Sequence, residues 1–272
     1  MDAFQAVILG IIQGLTEFLP VSSSGHLVIF QHLFGLREAE LFFDISVHMG
    51  TLIAVIIFFR KEIIAILSSL VCFIRNLSEK KISPADGMKD PDVKMALLII
   101  AGSVPTGVIG ILFHKMAEEI FSSVFLVGWT LIITGVLLWF TRSVKSQGRG
   151  IEAFSVRQAL EIGFVQGIAI LPGISRSGST IAAGLFLGLD GKTAARYSFL
   201  LSIPAIVGAQ ILALKDLGTA AADMNALYGA VSAGLVGYAA LAFLVYIVNK
   251  GRLFMFAPYC WIVGFAALIY SW

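Results

Sequence analysis

Two apolar segments of this sequence are broken at the centre by the same kind of run. Residues 3–36 are interrupted by Leu19-Pro20-Val21-Ser22-Ser23-Ser24-Gly25-His26, and residues 156–189 by Leu171-Pro172-Gly173-Ile174-Ser175-Arg176-Ser177-Gly178. The flanking halves are about 11–17 residues long, too short to cross a hydrocarbon core about 30 Å thick. Unwound backbone at membrane depth is tolerated only where it faces protein or a polar cavity. Both segments therefore read as re-entrant helical hairpins whose tips lie inside the protein.

The rest of the chain supplies the membrane context. Stretches at roughly 44–59, 93–113, 120–140, 193–214, 224–248 and 253–271 are long and apolar enough to span, and the first could extend to Ile74. Only 13% of the 272 residues are charged, where soluble domains carry about 25%. The expected fold class is an all-α polytopic integral membrane protein with about six transmembrane helices plus two re-entrant hairpins. A net charge of +2 without a basic cluster gives no reason to expect nucleic acid. Cys72 and Cys260 lie in separate apolar stretches without CxxC spacing and read as buried and inert. Met1-Asp2-Ala3-Phe4 lacks the basic run of a secretory signal peptide. The polar linkers fall at 75–94 and 141–157, the first with Pro84 and Gly87 as a mobile loop.

The two broken segments are copies. An offset of 153 carries Gly10 to Gly163, Gln13 to Gln166, Gly14 to Gly167, Ser22 to Ser175, Ser24 to Ser177 and Gly25 to Gly178. Each copy precedes three spans, so one domain over 1–272 divides into repeats at about 3–140 and 156–271. Three crossings between copies turn the second upside down relative to the first, an architecture of membrane transporters. With this topology fifteen of the 19 Lys and Arg residues fall on one side. Arg37, Lys115 and Lys215 fall on the other, and Arg176 sits at a tip. The basic side is cytoplasmic by the positive-inside rule, and both termini face outward. Two spanning helices in place of each hairpin would keep the same sides. Trp139, Tyr259 and Trp272 near span ends suit anchoring at the membrane interface.

The breaks carry membrane-depth charges, which are costly and usually functional. Gln13 and Glu17 are spaced i, i+4 on one helical face. Ser22, Ser23, Ser24 and Gly25 stand where a new helix starts, and a helix start offers free N–H groups and a positive dipole end to an anion. Ser23 and His26, at i, i+3, are close enough for a nucleophile–base pair. The second tip adds Arg176, whose planar fork suits phosphate oxygens, among Ser175, Ser177, Gly178, Ser179 and Thr180. Brought together, the tips make an anion site with a carboxylate, an imidazole and hydroxyl nucleophiles, and apolar surroundings suggest a lipid for the rest of the substrate. The simpler readings are caps for Ser22 and Ser24, packing for Gly25 and Gly178, and a structural ion pair for Glu17 with Arg176. Asp44 reads as a helix cap, His48 as a residue lining an outward opening, and His114 and Glu161 as interfacial.

At these residues the chain resembles the undecaprenyl-diphosphate phosphatase family, also called the bacitracin-resistance protein family. The resemblance rests on Gln13-Gly14-Leu15-Thr16-Glu17-Phe18-Leu19-Pro20-Val21-Ser22-Ser23-Ser24-Gly25-His26 and on Pro172-Gly173-Ile174-Ser175-Arg176-Ser177-Gly178-Ser179-Thr180. Length and motif spacing extend it over essentially the whole chain. It implies a multi-pass enzyme of the bacterial cytoplasmic membrane, with its site opening to the outer face. The enzyme would hydrolyse undecaprenyl diphosphate to undecaprenyl phosphate, recycling the lipid carrier of cell-wall synthesis and conferring bacitracin resistance. It also implies Glu17 as the essential carboxylate, Ser23 as nucleophile, His26 as its histidine and Arg176 as the phosphate-binding arginine. Ser175 and Thr180 match motif hydroxyls. The family's divalent cation, Mg2+ or Ca2+, would rest mainly on Glu17, because the first acidic position of the motif is Gln13 here. The partners implied are a polyprenyl diphosphate and membrane lipids, with a homodimer left open.

Other classes fit the same architecture. Inverted repeats with broken helices are also the plan of secondary transporters, so the chain could flip a lipid phosphate. A binding scaffold for envelope enzymes is a third reading, which leaves the Glu–Ser–His–Arg set without a purpose.

Overall fold

The computed structural model describes residues 1–36, 41–114, 123–144, 148–216 and 223–271. Among them eleven α-helices occur, and the only β pairing is an isolated bridge between Arg149 and Leu189. Helices α1 (Ala3–Phe18) and α2 (Ser23–Leu33) make the first broken segment. They are followed by α3 (Leu41–Phe58), α4 (Arg60–Ser78), α5 (Pro91–His114) and α6 (Val124–Phe140). The second broken segment is α7 (Val156–Ile168) and α8 (Arg176–Phe186). Helices α9 (Gly191–Asp216), α10 (Met224–Asn249) and α11 (Ala257–Tyr270) complete the chain.

Six helices are long and apolar enough to cross a membrane, at Leu41–Phe58, Pro91–Phe113, Val124–Ser143, Gly191–Ala213, Met224–Asn249 and Leu253–Tyr270. These match the six expected stretches. Large apolar side chains such as Ile100, Leu112, Ile133, Leu235 and Ile262 are exposed along them, as lipid-facing surface requires. The first span does not run on to Ile74. It ends at Phe58, and Phe59 (φ −95°, ψ 17°) starts the separate helix α4. Helix α4 buries Ile66 and exposes Ile64, Leu67, Val71 and Ile74 on another face. It also carries Cys72, which is exposed and not buried as expected, whereas Cys260 is buried. Within the 75–94 linker Pro84–Met88 is a 3-10 turn closed by a Ser83–Asp86 capping box, so part of the expected mobile loop is ordered.

The broken segments turn back on themselves. Gln158 Nε2, near the start of α7, donates to the carbonyl of Leu187, just past α8, at 2.8 Å. In the first segment Met1, Phe30, Phe34 and Leu36 share one apolar cluster with Ala6, Phe43 and Ala226. The helix bounds keep the sequence offset: 153 carries Ala3 to Val156, Ser23 to Arg176 and Leu33 to Phe186. An offset of 133 carries Pro91 to Met224 and Val124 to Ala257. The change in offset falls where α4 and its turn are present in the first half only.

Small residues bring the halves close. Gly10 and Gly14 of α1 lie against Gly229 and Ala233 of α10, while Gly163 of α7 lies against Gly102 of α5. A Cβ on Gly163 would stand 2.0 Å from the Gly102 carbonyl oxygen. Such contacts let helix backbones approach where apolar side chains would hold them apart. Gly128 and Gly264 meet in the same way between α6 and α11. Asp44 lies within the first turn of α3, not at a cap, and accepts from Gln31 Nε2 at 2.8 Å. Arg37, Lys115, Lys145 and Trp272 lie outside the described residues, as do the side chains of His114 and Lys215.

Candidate active site

Pro20 and Pro172 stand in the two breaks, where the missing N–H favours a turn over continued helix. New helices then start from serine caps. Ser22 Oγ accepts from Gly25 N at 3.3 Å, and Ser175 Oγ accepts from Gly178 N at 3.1 Å. The first helical residues are Ser23 and Arg176. The tips are fastened together and to α6. Gly173 N donates to Ser22 Oγ at 3.0 Å, Ser177 Oγ to the Leu19 carbonyl at 3.5 Å, and Thr134 Oγ1 to the Gly173 carbonyl at 2.9 Å. Gly173 has φ +88°, and a Cβ there would fall 1.9 Å from Thr130 Oγ1, so this turn requires glycine.

Glu17 is the hub. Its Oε1 accepts from Arg176 Nη2 at 2.6 Å. Its Oε2 accepts from Ser23 Oγ at 2.6 Å and from Gln13 Nε2 at 3.0 Å. The i, i+4 spacing of Gln13 and Glu17 produces the contact expected from one helical face. Glu17 is buried, with a side-chain exposure of 6% against 16% for Arg176. A buried carboxylate of this kind is tolerable only when paired and hydrogen-bonded, and here both oxygens are. Two polar atoms beside it are buried without a hydrogen-bond partner: Arg176 Nη1, a donor, and Gln13 Oε1, an acceptor. The site can thus offer a guanidinium N–H to an anion and a neutral oxygen to a cation.

His26 does not join Ser23. Its Nδ1 lies 2.8 Å from the carbonyl oxygen of its own helix cap, Ser22, and its Nε2 lies 2.8 Å from the Tyr259 hydroxyl. The expected Ser23–His26 pair is replaced by a Ser23–Glu17 pair. The i, i+3 spacing brought the residues near, but the ring turned toward the main-chain acceptor one turn back. Tyr259, expected as an interfacial anchor, instead reaches into the protein with its hydroxyl. Trp139 packs on Trp261 near Arg142, whose guanidinium lies over its ring. Glu161 pairs with Arg157 on an exposed face.

The remaining expected phosphate ligands divide. The N–H groups of Gly25 and Gly178 are already taken by the serine caps, so Ser22 and Ser175 serve the helices first. Thr180 Oγ1 is taken up by the Arg176 carbonyl and the Ser198 hydroxyl. Ser24 and Ser177 stay beside their caps, with hydroxyl separations of 3.4 and 3.3 Å. His48 comes closer to the chemistry than its spacing suggested. From α3 its Nε2 stands 3.8 Å from Glu17 Oε2, with a quarter of the side chain exposed. Neither His48 nor Tyr259 carries a local sequence signal for the site, because each arrives from another helix by tertiary packing.

A family model described as bacitracin resistance protein BacA matches residues 6–266. A protein of Desulfosudis oleivorans named undecaprenyl-diphosphatase is 53% identical over 270 residues, 97% of each chain. Proteins of the same name from Desulforapulum autotrophicum and Desulfatibacillum aliphaticivorans are 51% and 52% identical. These alignments cover 99% of this chain and 98% and 99% of the relatives.

Proposed function

The chain belongs to the bacitracin resistance protein BacA family, and from that premise we infer that it is a membrane phosphatase acting on undecaprenyl diphosphate. It releases inorganic phosphate and returns undecaprenyl phosphate, the lipid carrier, to cell-wall synthesis, the activity that underlies bacitracin resistance. The observation that carries the reading is the convergence of Ser23 and Arg176 on Glu17, with Arg176 Nη1 buried and unpaired beside them.

The chemistry follows from those contacts. The terminal phosphate of the substrate draws Arg176 partly away from Glu17 and takes Nη1 and Nη2, a fork matched to phosphate oxygens. Ser23 Oγ attacks phosphorus as Glu17 Oε2, already its acceptor, takes the hydroxyl proton. The bond to the bridging oxygen breaks and undecaprenyl phosphate leaves with that oxygen. Water then attacks the phosphoserine, the bond between phosphorus and Ser23 Oγ breaks, Glu17 returns its proton to that oxygen, and inorganic phosphate leaves with the hydrogens of the water. Direct attack by water with Glu17 as base is the competing route. Either way positioning and charge neutralisation dominate phosphoryl transfer.

A divalent cation, Mg2+ or Ca2+, belongs to this reading. Glu17 and the unpaired Gln13 Oε1 are hard oxygen donors, and among the described residues no group of three His, Cys, Asp or Glu could hold an ion alone. Such an ion would be bound largely through substrate oxygens and water, and would supply the positive charge a diphosphate demands beyond Arg176.

The broken segments are read as re-entrant hairpins of two inverted repeats in the bacterial cytoplasmic membrane, with the site open to the outer face. Support comes from the returning chain ends, the matching helix bounds, the contacts between tips and the lopsided Lys and Arg distribution. Broken helices that meet head to head also suit a lipid flippase. One experiment separates the two. Purified protein in detergent, where no two compartments exist, should release phosphate from a polyprenyl diphosphate with Mg2+ or Ca2+ present. Chelator should stop the release and added cation restore it. Folded protein that binds the lipid yet releases no phosphate would favour the flippase.

A further inference from the structure

Ser22, the residue before Ser23, has φ +69° and ψ 100°. A residue with a Cβ keeps such a conformation only where its surroundings hold it. The Ser22 side chain is held by Gly25 N and Gly173 N. Its carbonyl is held by His26 Nδ1 at 2.8 Å. A carbonyl only accepts, so Nδ1 carries the proton, and Nε2 of the neutral ring is then an acceptor. That acceptor lies 2.8 Å from the hydroxyl of Tyr259, whose ring is parallel to the imidazole within 7°. A phenol can donate or accept, so this bond persists in either charge state of His26. Helix α11 touches the same turn at the next residue, where Cys260 Sγ lies 3.5 Å from the Pro20 carbonyl oxygen.

We propose that Tyr259 is a positioning residue of the phosphatase, acting through His26 on the Ser22 carbonyl and so on the direction in which Ser23 presents its hydroxyl to Glu17. Both imidazole nitrogens are committed to this chain of contacts, and the proton acceptor beside Ser23 is Glu17. Tyr259 reaches the turn from a helix 233 residues away in sequence. It therefore fixes a strained start of α2 against the opposite half of the molecule. The activity readout rests on the hydrolytic reading above; the spectroscopic one does not.

Tyr259→Phe removes the hydroxyl and keeps a ring that is 44% exposed, so folding is preserved. Its kcat should fall about tenfold with KM within about twofold, as expected when a reacting group is misaimed and binding is untouched. His26→Asn keeps an N–H donor near the Nδ1 position and has no titratable nitrogen. It should retain several-fold more kcat than His26→Ala, and adding Tyr259→Phe to either should cost less than about twofold more. In 15N spectra of the wild type the His26 ring should be the Nδ1–H tautomer when neutral, with an Nε2 resonance that moves in Tyr259→Phe. Unchanged kcat in Tyr259→Phe, His26→Asn as inactive as His26→Ala, fully multiplicative losses, or an unmoved Nε2 resonance would each overturn the assignment. Wild type without phosphatase activity would sink the hydrolytic reading instead, leaving the Tyr259–His26 link to the spectrum.

Discussion

Ser23 and Arg176 are each the first residue of a helix, and each points at the same carboxylate, that of Glu17, from 2.6 Å. The proposed nucleophile and the proposed phosphate-binding cation therefore come from two separate broken segments and meet at one acidic side chain. That geometry makes both of them sensitive to small changes.

Arg176→Lys should lower phosphate release about 100-fold or more while the protein still inserts and purifies. Lysine keeps the charge beside Glu17 and loses the bidentate fork, and removing an electrostatic donor of this kind typically costs ~10²–10³ in kcat. Turnover measured at matched protein level checks it; near-normal activity would make Arg176 purely structural.

Ser23→Ala should reduce kcat by about 10³-fold, the scale of losing a nucleophile whose surroundings still bind and polarise the substrate. Acid quenching of wild type during turnover of substrate labelled in its terminal phosphate should leave label on Ser23. Substantial activity in Ser23→Ala, with no label trapped in wild type, would transfer the attack to water.

Gly163→Val should lower stability by more than the ~1–3 kcal/mol of ordinary overpacking. The obstacle is the main-chain oxygen of Gly102, which cannot rotate away as a side chain could. Thermal unfolding in detergent should show the loss. Gly107→Ala, on the same partner helix with open space around its Cβ position, should unfold near the wild-type temperature.

Single cysteines placed in the 75–94 stretch of a Cys72-free protein should resist an impermeant thiol reagent in intact cells and react after lysis. Seven Lys or Arg lie between residues 60 and 94, and by the positive-inside rule this predicts a cytoplasmic face. Labelling from outside would invert the orientation.

The spans were legible because length and apolarity decide them almost alone. Helix α4 was not. Its apolar residues alternate with polar ones on a helical period, and its start directly follows a span, so the two merge in a reading by hydropathy. At the site, Gln13, Glu17, Ser23 and Arg176 could be picked out because charge and hydroxyls at a break in apolar sequence are costly to bury unless they bind something or one another. The glycines were misread for a local reason. Serine caps and a bound anion compete for the same N–H groups, and the caps hold them here. His48 was legible as the lining of an opening, but its approach to Glu17, like the reach of Tyr259 to His26, arises only when α3 and α11 pack against the first broken segment.

The ion pair between Glu17 and Arg176 also bears on the site at rest. A bare, mostly buried guanidinium would attract small anions such as chloride and hold them. With the pair closed, a monovalent ion gains too little from Arg176 to replace a carboxylate at 2.6 Å that is anchored by two further hydrogen bonds. A multiply charged diphosphate gains far more. On the proposed phosphatase reading, the contact thus sets a threshold that favours a multiply charged diphosphate over small inorganic anions.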